Sequence, residues 1–131
     1  MEKVVHYGFD LSGGGKYPVG MYPNEGMYLT PNDSALSFWA TYRAGSDPAI
    51  WTCASADKFV HGGEPKQRLH EQFNADICDM ECASVLKICN RNNIPVTIIK
   101  AVSDGVDEGE EAFNKNVKDA AEACVKFLKK P

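Results

Sequence analysis

Residues 80–104 decide the fold of this chain and read MECASVLKICNRNNIPVTIIKAVSD. The opening part places apolar side chains on one helical face, an Asn-rich turn follows, and residues 96–102 form an almost continuous apolar, β-branched run. Such a run is typical of a central strand that is covered on both faces. Glu81 then begins the helix and Asp104 follows the strand. We therefore expect both carboxylates at one end of the sheet, where open α/β sheets bind ligands.

Length and composition indicate a single domain, residues 1–131, of ordinary globular character. The formal net charge of −4 argues against a nucleic-acid partner, because neutralising phosphates requires a basic face. The chain shows no apolar run long enough for a membrane helix, so we expect no membrane association. Met1 is not followed by a charged and then apolar leader, which predicts a cytoplasmic location.

Strand-like and helix-like segments alternate along the chain, which predicts an α/β layer architecture. Residues 12–34 are loop-like, because glycines and prolines punctuate them. The predicted strands are residues 2–7, 49–54, 76–79 and 96–102. The first predicted helix begins at Thr30, Asn32 or Asp33 and ends near Tyr42. Three more are predicted at residues 64–73, 82–91 and 110–129, and the last of these has the clearest apolar stripe.

The five cysteines do not suggest a metal site or a disulfide framework. Cys78 and Cys82 lie four residues apart, but no second pair or histidine cluster completes a zinc-binding set. The acidic run at residues 107–111 is typical of a solvated helix start rather than a metal site. We therefore expect reduced thiols in the core, and neither a metal nor another cofactor.

Three short motifs, in order, resemble the nucleoside phosphorylase and nucleosidase superfamily. They are the Ser55–Val60 segment, the Met80-Glu81 pair and the Ser103-Asp104 pair. The resemblance is strongest to 5'-methylthioadenosine/S-adenosylhomocysteine nucleosidases, and it runs from about Ser55 to the C-terminus, the second half of such an enzyme. It implies a three-layer phosphorylase/hydrolase-like α/β fold, truncated at the N-terminus, with a mixed central sheet flanked by helices.

The resemblance implies that two acids share the chemistry of N-ribosidic bond cleavage. Asp104, after Ser103, corresponds to the family's general acid, which protonates or hydrogen-bonds purine N7. Glu81 corresponds to the carboxylate that grips the ribose hydroxyls, with Met80 against the sugar. Each carboxylate also has a plain structural interpretation: Asp104 as a strand terminator and Glu81 as a first-turn residue that the helix dipole favours.

The Ser55–Val60 segment resembles the part of the family that holds the base. Phe59 corresponds to the aromatic ring that stacks on the purine, and the main chain of Val60 to the group that bonds the adenine edge. Ala56 replaces the glycine that is usual in the family motif. The alternative for Phe59 is ordinary core packing, because buried aromatic rings usually only pack.

By resemblance the function is cleavage of a purine nucleoside at its N-glycosidic bond, in a homo-oligomer that is a dimer or larger. In the family a Glu near the N-terminus orients the attacking water, and phosphorylases hold phosphate with Gly-rich and Arg-bearing loops; we identify neither in this sequence. Two alternatives stay open: a nucleoside phosphorylase, or a non-catalytic purine-binding remnant that needs a partner chain.

Overall fold

The computed structural model describes residues 3–31 and 51–129. Within these residues there are four strands, β1 to β4, three α-helices, α1 to α3, and one short 3-10 helix. The strands are β1 Lys3–His6, β2 Tyr28–Leu29, β3 Thr52–Ser55 and β4 Ile77–Asp79. The helices are the 3-10 turn Ser12–Gly14, α1 Gly63–Phe73, α2 Cys82–Arg91 and α3 Glu110–Leu128.

The strands form one mixed sheet in the order β2-β1-β3-β4. β1 pairs antiparallel with β2, whereas β1 with β3 and β3 with β4 are parallel. All four residues of β3 are buried, as expected for a strand with neighbours on both sides. The predicted α/β class, with a mixed sheet flanked by helices, is confirmed.

Alternating side chains of β1 and β3 supply two separate hydrophobic cores, one on each face of the sheet. Val4 and Cys53 belong to the core under α2, and Val5 and Ala54 to the core under α1. The remaining buried members are Leu29, Cys82, Ala83 and Leu86 on the first face, and Val60, Leu69, Phe73 and Ala75 on the second. The helices α1 and α2 therefore cover opposite faces and give three layers.

Local signals explain where α1 and α2 stop. Asn74 ends α1 in the left-handed conformation, with φ of 51°. Asn93, just beyond α2, has φ of 54°, and Pro95 follows. Asparagine tolerates this conformation better than most residues, and a proline soon afterwards prevents the helix from continuing.

The prediction of a central strand at residues 96–102 was wrong, because this described segment joins no strand of the sheet. Val96 and Ile98 pack against the core under α2, while Val102 is exposed. An apolar, β-branched run shows that a segment can be buried, but a strand also needs a neighbour that accepts and donates its main-chain hydrogen bonds. Lys100 of this segment reaches the site described below, where it contacts Asp79 and Glu81.

Most of the other strands and helices predicted from the sequence are present in the structure. The strands and helices predicted at 2–7, 76–79, 64–73, 82–91 and 110–129 are found within one or two residues of those bounds. The loop predicted at 12–34 contains the 3-10 turn and β2. The helix predicted up to Tyr42 and the first residues of the strand at 49–54 lie mostly outside the described residues.

The C-terminal helix α3 buries none of its residues in the described part of the chain. Its apolar stripe instead leaves Val117, Val125 and Leu128 exposed. None of the described helices is both long and apolar enough to cross a membrane.

Candidate active site

The start of α2 is fixed by side chains at the carboxyl ends of β3 and β4. The Asp79 carboxylate accepts the Cys82 main-chain N–H at 3.1 Å, and the Ser55 hydroxyl accepts that of Ala83 at 3.1 Å. Ser55 and Asp79 are paired in the parallel ladder. Both satisfy main-chain donors that a helix leaves free in its first turn. This arrangement places Glu81 at the helix start, next to the end of the sheet.

Lys100 joins Asp79 and Glu81. Its Nζ lies 2.8 Å from Asp79 Oδ2 and 3.4 Å from Glu81 Oε2. Burial alone would raise the pKa of Asp79, but hydrogen bonds from Cys82, Lys100 and Ser55 lower it below its ordinary value. Burial opposes the charge of Lys100 too, yet Asp79 and the surrounding negative charge raise the pKa of its ammonium. Glu81 remains 67% exposed and is open to a ligand.

Asp104 is held by a lysine of the first turns of α1. Lys66 Nζ donates to Asp104 Oδ2 at 2.6 Å and also to the main-chain oxygens of Gly105 and Glu108, at 2.6 and 2.7 Å. The Ser103 hydroxyl donates to Asp104 Oδ1 at 2.9 Å. Only 16% of the Asp104 side chain is exposed. Lys66 thus fixes both the carboxylate and the loop that follows it.

The segment from Lys100 to Asp104 connects the two acids. Its first residue binds Glu81 at the start of α2, and its last binds Lys66 in α1. Four residues of fully extended chain span at most about 14 Å. Burial raises the pKa of the Cys78 thiol in β4; Lys66 lowers it, and the charges of both Asp104 and Asp79 raise it. Asp104 and Asp79 therefore both lie near Cys78 of β4, and Lys100 links Asp79 to Glu81.

The three apolar candidates are placed differently. Phe59 is 40% exposed, and its ring lies nearly perpendicular to that of Phe113 on α3, with a centroid distance of 5.7 Å. The Val60 side chain is buried in the core under α1, so its main chain rather than its side chain is the group left for a ligand. Met80 is 40% exposed, directly before Glu81.

Sequence reasoning missed three polar groups of this site: Lys66, Asp79 and Lys100. Asp79 carried a usable signal, because an acid three residues before a helical N–H is a common cap. The two lysines gave none, because their partners lie 38 and 19 residues away in sequence.

The sequence also did not predict a cluster of two cysteines with Asp79. The ligand-type atoms of Cys53, Asp79 and Cys82 all lie within 4.8 Å of one another. Cys53 Sγ donates to Asp79 Oδ1 at 3.4 Å. This cluster lies beside the Asp79–Lys100 ion pair and is taken up below.

Comparison with known proteins identifies the family. The family model described as Phosphorylase superfamily matches residues 26–130. This chain belongs to the phosphorylase superfamily. The resemblance that the three sequence motifs indicated is therefore confirmed at the level of the family.

Relatives of this superfamily member include bacterial nucleosidases. An aminodeoxyfutalosine nucleosidase of Helicobacter pylori is 30% identical over 131 residues, which cover 97% of this chain and 56% of the relative. A 5'-methylthioadenosine/S-adenosylhomocysteine nucleosidase of Haemophilus ducreyi is 27% identical over 109 residues, covering 81% of this chain and 47% of the relative. The chain thus spans about half the length of the curated relatives it matches.

Solved structures of bacterial nucleosidases are similar in fold to this chain. A 5'-methylthioadenosine/S-adenosylhomocysteine nucleosidase of Helicobacter pylori, in complex with a pyrrolopyrimidine-bearing pyrrolidinol, gives a TM-score of 0.84 at 28% identity. The match covers 97% of this chain and 56% of that one. A mutant of the same enzyme with 5'-methylthioadenosine in its active site gives a TM-score of 0.83 at 28% identity, over the same shares of the two chains.

Proposed function

We propose that this chain carries the base- and ribose-binding part of a purine nucleosidase and takes part in cleaving the N-glycosidic bond of 5'-methylthioadenosine-type nucleosides. The observation that carries the proposal is the Lys100–Asp104 segment, which is tied at one end to Glu81 and at the other to Lys66. We infer that the Glu81 and Asp104 carboxylates lie close enough together to contact one nucleoside. The bacterial nucleosidases among its relatives support this choice of substrate class.

Glu81 is the proposed ribose ligand. A carboxylate has two oxygens, each able to accept a hydrogen bond from the 2'- or 3'-hydroxyl. Lys100 contacts Glu81 Oε2 at 3.4 Å and binds Asp79 more closely, so it orients the Glu81 carboxylate without saturating it. A negative charge under the sugar also stabilises the positive charge that develops at the anomeric carbon.

Asp104 is the proposed partner of purine N7. When the bond from the anomeric carbon to N9 breaks, its electron pair passes to the purine, and a proton at N7 neutralises that charge. Hydrolysis then requires a water oxygen to bond to the anomeric carbon and to release a proton to solvent, from which Asp104 takes up a proton for the next turnover. Lys66 stabilises the Asp104 carboxylate that remains after proton transfer, and Ser103 orients its second oxygen.

The base is proposed to lie against Phe59, with Met80 against the sugar. Phe59 packs nearly perpendicular to Phe113 and remains partly exposed. Because the Val60 side chain is anchored in the core, its main chain is a fixed hydrogen-bonding group for the adenine edge. A rigid aromatic face and fixed main-chain groups are the usual means of orienting a planar ligand.

Adenine release from 5'-methylthioadenosine tests this function. We expect release without added phosphate, which separates hydrolysis from phosphorolysis. Asp104→Asn is expected to lower kcat/KM about 100-fold or more, the scale of a lost acid–base group. Glu81→Gln, which weakens the hydrogen bonds to the ribose, is expected to lower it about 10-fold or more. Asp119→Asn and Glu122→Gln, exposed acids on α3, are the matched controls and should leave the rate unchanged. Release that requires phosphate would favour a phosphorylase, and equal rates in all four variants would contradict the proposal.

Binding without turnover is the second candidate, because Glu81, Phe59 and Met80 are exposed groups that can hold a nucleoside whether or not it is cleaved. Calorimetry with adenine and with 5'-methylthioadenosine separates the two. Because adenine has no ribose, Glu81→Gln should weaken binding of the nucleoside and leave adenine binding unchanged. Nucleoside binding with no product in a long incubation would support this candidate over the enzyme.

A further inference from the structure

We propose that Cys53, Asp79 and Cys82 form a binding site for a thiophilic divalent cation of the zinc class, next to the proposed ribose site. Cys53 lies in β3, Asp79 ends β4 and Cys82 begins α2. The sequence predicted no metal, because these residues come from separate elements and lack a recognisable spacing. The inference does not depend on the proposed nucleosidase activity.

The spacing of the three groups suits one ion. Their ligand atoms lie within 4.8 Å of one another, and Cys53 Sγ is 3.4 Å from Asp79 Oδ1. Two ligands of a tetrahedral zinc ion, one sulfur at about 2.3 Å and one oxygen at about 2.1 Å, stand about 3.6 Å apart. The cluster therefore needs only small shifts to bind an ion, and a water completes the four ligands.

The charges of the cluster favour a cation. Once both thiols are deprotonated, Cys53, Cys82 and the Asp79 carboxylate present three negative charges whose ligand atoms lie within 4.8 Å of one another. Such charges repel one another unless a cation neutralises them. A dication supplies that neutralisation: the ion bonds to two thiolate sulfurs and one carboxylate oxygen, and two thiol protons pass to solvent.

Two sulfurs and one oxygen also limit which ion is held. Thiolates favour zinc and similar soft or borderline ions, whereas magnesium and calcium prefer all-oxygen sites. Cys53 and Cys82 are buried, so the ion is expected to enter past Asp79 and Lys100. Entry releases Lys100 from Asp79, at present 2.8 Å away, and leaves it with Glu81.

Cobalt(II) is the probe, added to the whole chain under anaerobic conditions with a phosphine reductant. We expect one cobalt ion per chain, a near-ultraviolet thiolate-to-cobalt charge-transfer band, two protons released per ion, and displacement by zinc. Cys82→Ser and Cys53→Ser should each abolish the band and weaken binding more than 10-fold. Cys89→Ser, on the same helix but outside the cluster, is the matched control and should bind as the unaltered chain does.

Several results would overturn the site. They are the absence of a charge-transfer band, a band that survives in both cluster variants, or a band that is lost in Cys89→Ser. If Cys53→Ser does not fold, the proton count of the unaltered chain still decides, because fewer than two protons per ion excludes a two-thiolate site. A Cys53–Cys82 disulfide that resists the reductant and forms in place of ion binding would also contradict the proposal.

Discussion

Lys66 in α1 donates to Asp104 Oδ2 at 2.6 Å, across 38 residues of sequence. The same ammonium binds two main-chain oxygens of the loop that follows Asp104. One side chain thereby fixes both the position of the proposed catalytic carboxylate and the path of the chain beyond it. The geometry at Asp104 consequently depends on α1 as much as on its own segment.

Replacing Lys66 with Met should disturb both stability and catalysis. The change removes three hydrogen bonds from a charged donor and leaves a poorly exposed carboxylate unpaired, so we expect a loss of about 1–3 kcal/mol in the free energy of unfolding. Denaturant unfolding measures it. We also expect kcat for adenine release to fall more than KM changes. Lys118→Met, exposed on α3, is the control, and equal losses in the two variants would refute the anchoring role of Lys66.

Replacing Lys100 with Met should affect ribose binding selectively. Glu81 loses its orienting contact, and Asp79 loses an ion-pair partner. We expect binding of 5'-methylthioadenosine to weaken about 10-fold while adenine binding stays constant, with calorimetry as the measurement. Lys115→Met, exposed on α3, should change neither affinity. Equal weakening for adenine and nucleoside would mean that Lys100 acts on the whole fold.

Tyr7→Phe should make the fold more tolerant of alkaline pH. The Tyr7 hydroxyl is buried and has no hydrogen-bond partner among the described residues. Burial, followed by Cys78, Asp79 and Cys53, raises the pKa of Tyr7 above its ordinary 10.0. A raised folded-state pKa gives stability that is present below the unfolded pKa and lost as the pH rises through the folded value. The unaltered chain should therefore lose Tm above about pH 10 more steeply than Tyr7→Phe.

Tyr28→Phe is the contrasting control for that experiment. The Tyr28 hydroxyl donates to the Phe73 main-chain oxygen at 2.9 Å. Removing this bond should lower the free energy of unfolding by about 1 kcal/mol at neutral pH. Tyr7→Phe should show no such loss, and a neutral-pH loss as large as that of Tyr28→Phe would contradict an unpartnered hydroxyl.

Leu86→Ala tests whether α2 is held by the core on its face of the sheet. Leu86 is fully buried there, with Val4 and Cys53. Truncating a buried leucine costs about 2–5 kcal/mol, so we expect a large fall in the denaturation midpoint. Val85→Ala, on the exposed side of the same helix, is expected to cost well under 1 kcal/mol. Similar losses in both variants would mean that α2 is packed differently.

Self-association is expected through the exposed stripe of α3. Val117, Val125 and Leu128 are exposed along one face, and contiguous exposed apolar surface commonly marks an interface. Sedimentation velocity should show a dimer or larger species that Val125→Lys shifts to monomer. Lys118→Glu, a charge change at a polar position of α3, should leave the assembly intact. A monomer at all concentrations would contradict this expectation.

The sequence predicted those parts of the fold that local signals specify. Apolar periodicity, with the Asn-rich turn after α2, gives helix bounds within a residue or two. The strand predicted at residues 96–102 was wrong because hydrophobicity indicates burial, whereas strand formation also needs a neighbouring strand that completes the hydrogen-bond ladder. That information is not contained in the segment itself.

The residues of the candidate site likewise fall into those that short motifs predicted and those that the sequence did not reveal. Glu81, Asp104, Phe59 and Val60 were identifiable because short motifs carry them. Whether these residues bind substrate stays a prediction. The lysines that orient the two acids, and the Cys53–Asp79–Cys82 cluster, depend on contacts between residues 19 to 38 positions apart. No short motif encodes such pairs, because they exist only once β3, β4, α1 and α2 have assembled.

A structure of this chain with a non-hydrolysable 5'-methylthioadenosine analogue tests most directly whether both acids serve one nucleoside. We expect a Glu81 oxygen within about 3 Å of a ribose hydroxyl and an Asp104 oxygen within about 3 Å of the atom at position 7 of the same ligand. The purine should lie against Phe59. An analogue that touches only one of the two acids, or binds on another surface, would contradict the account.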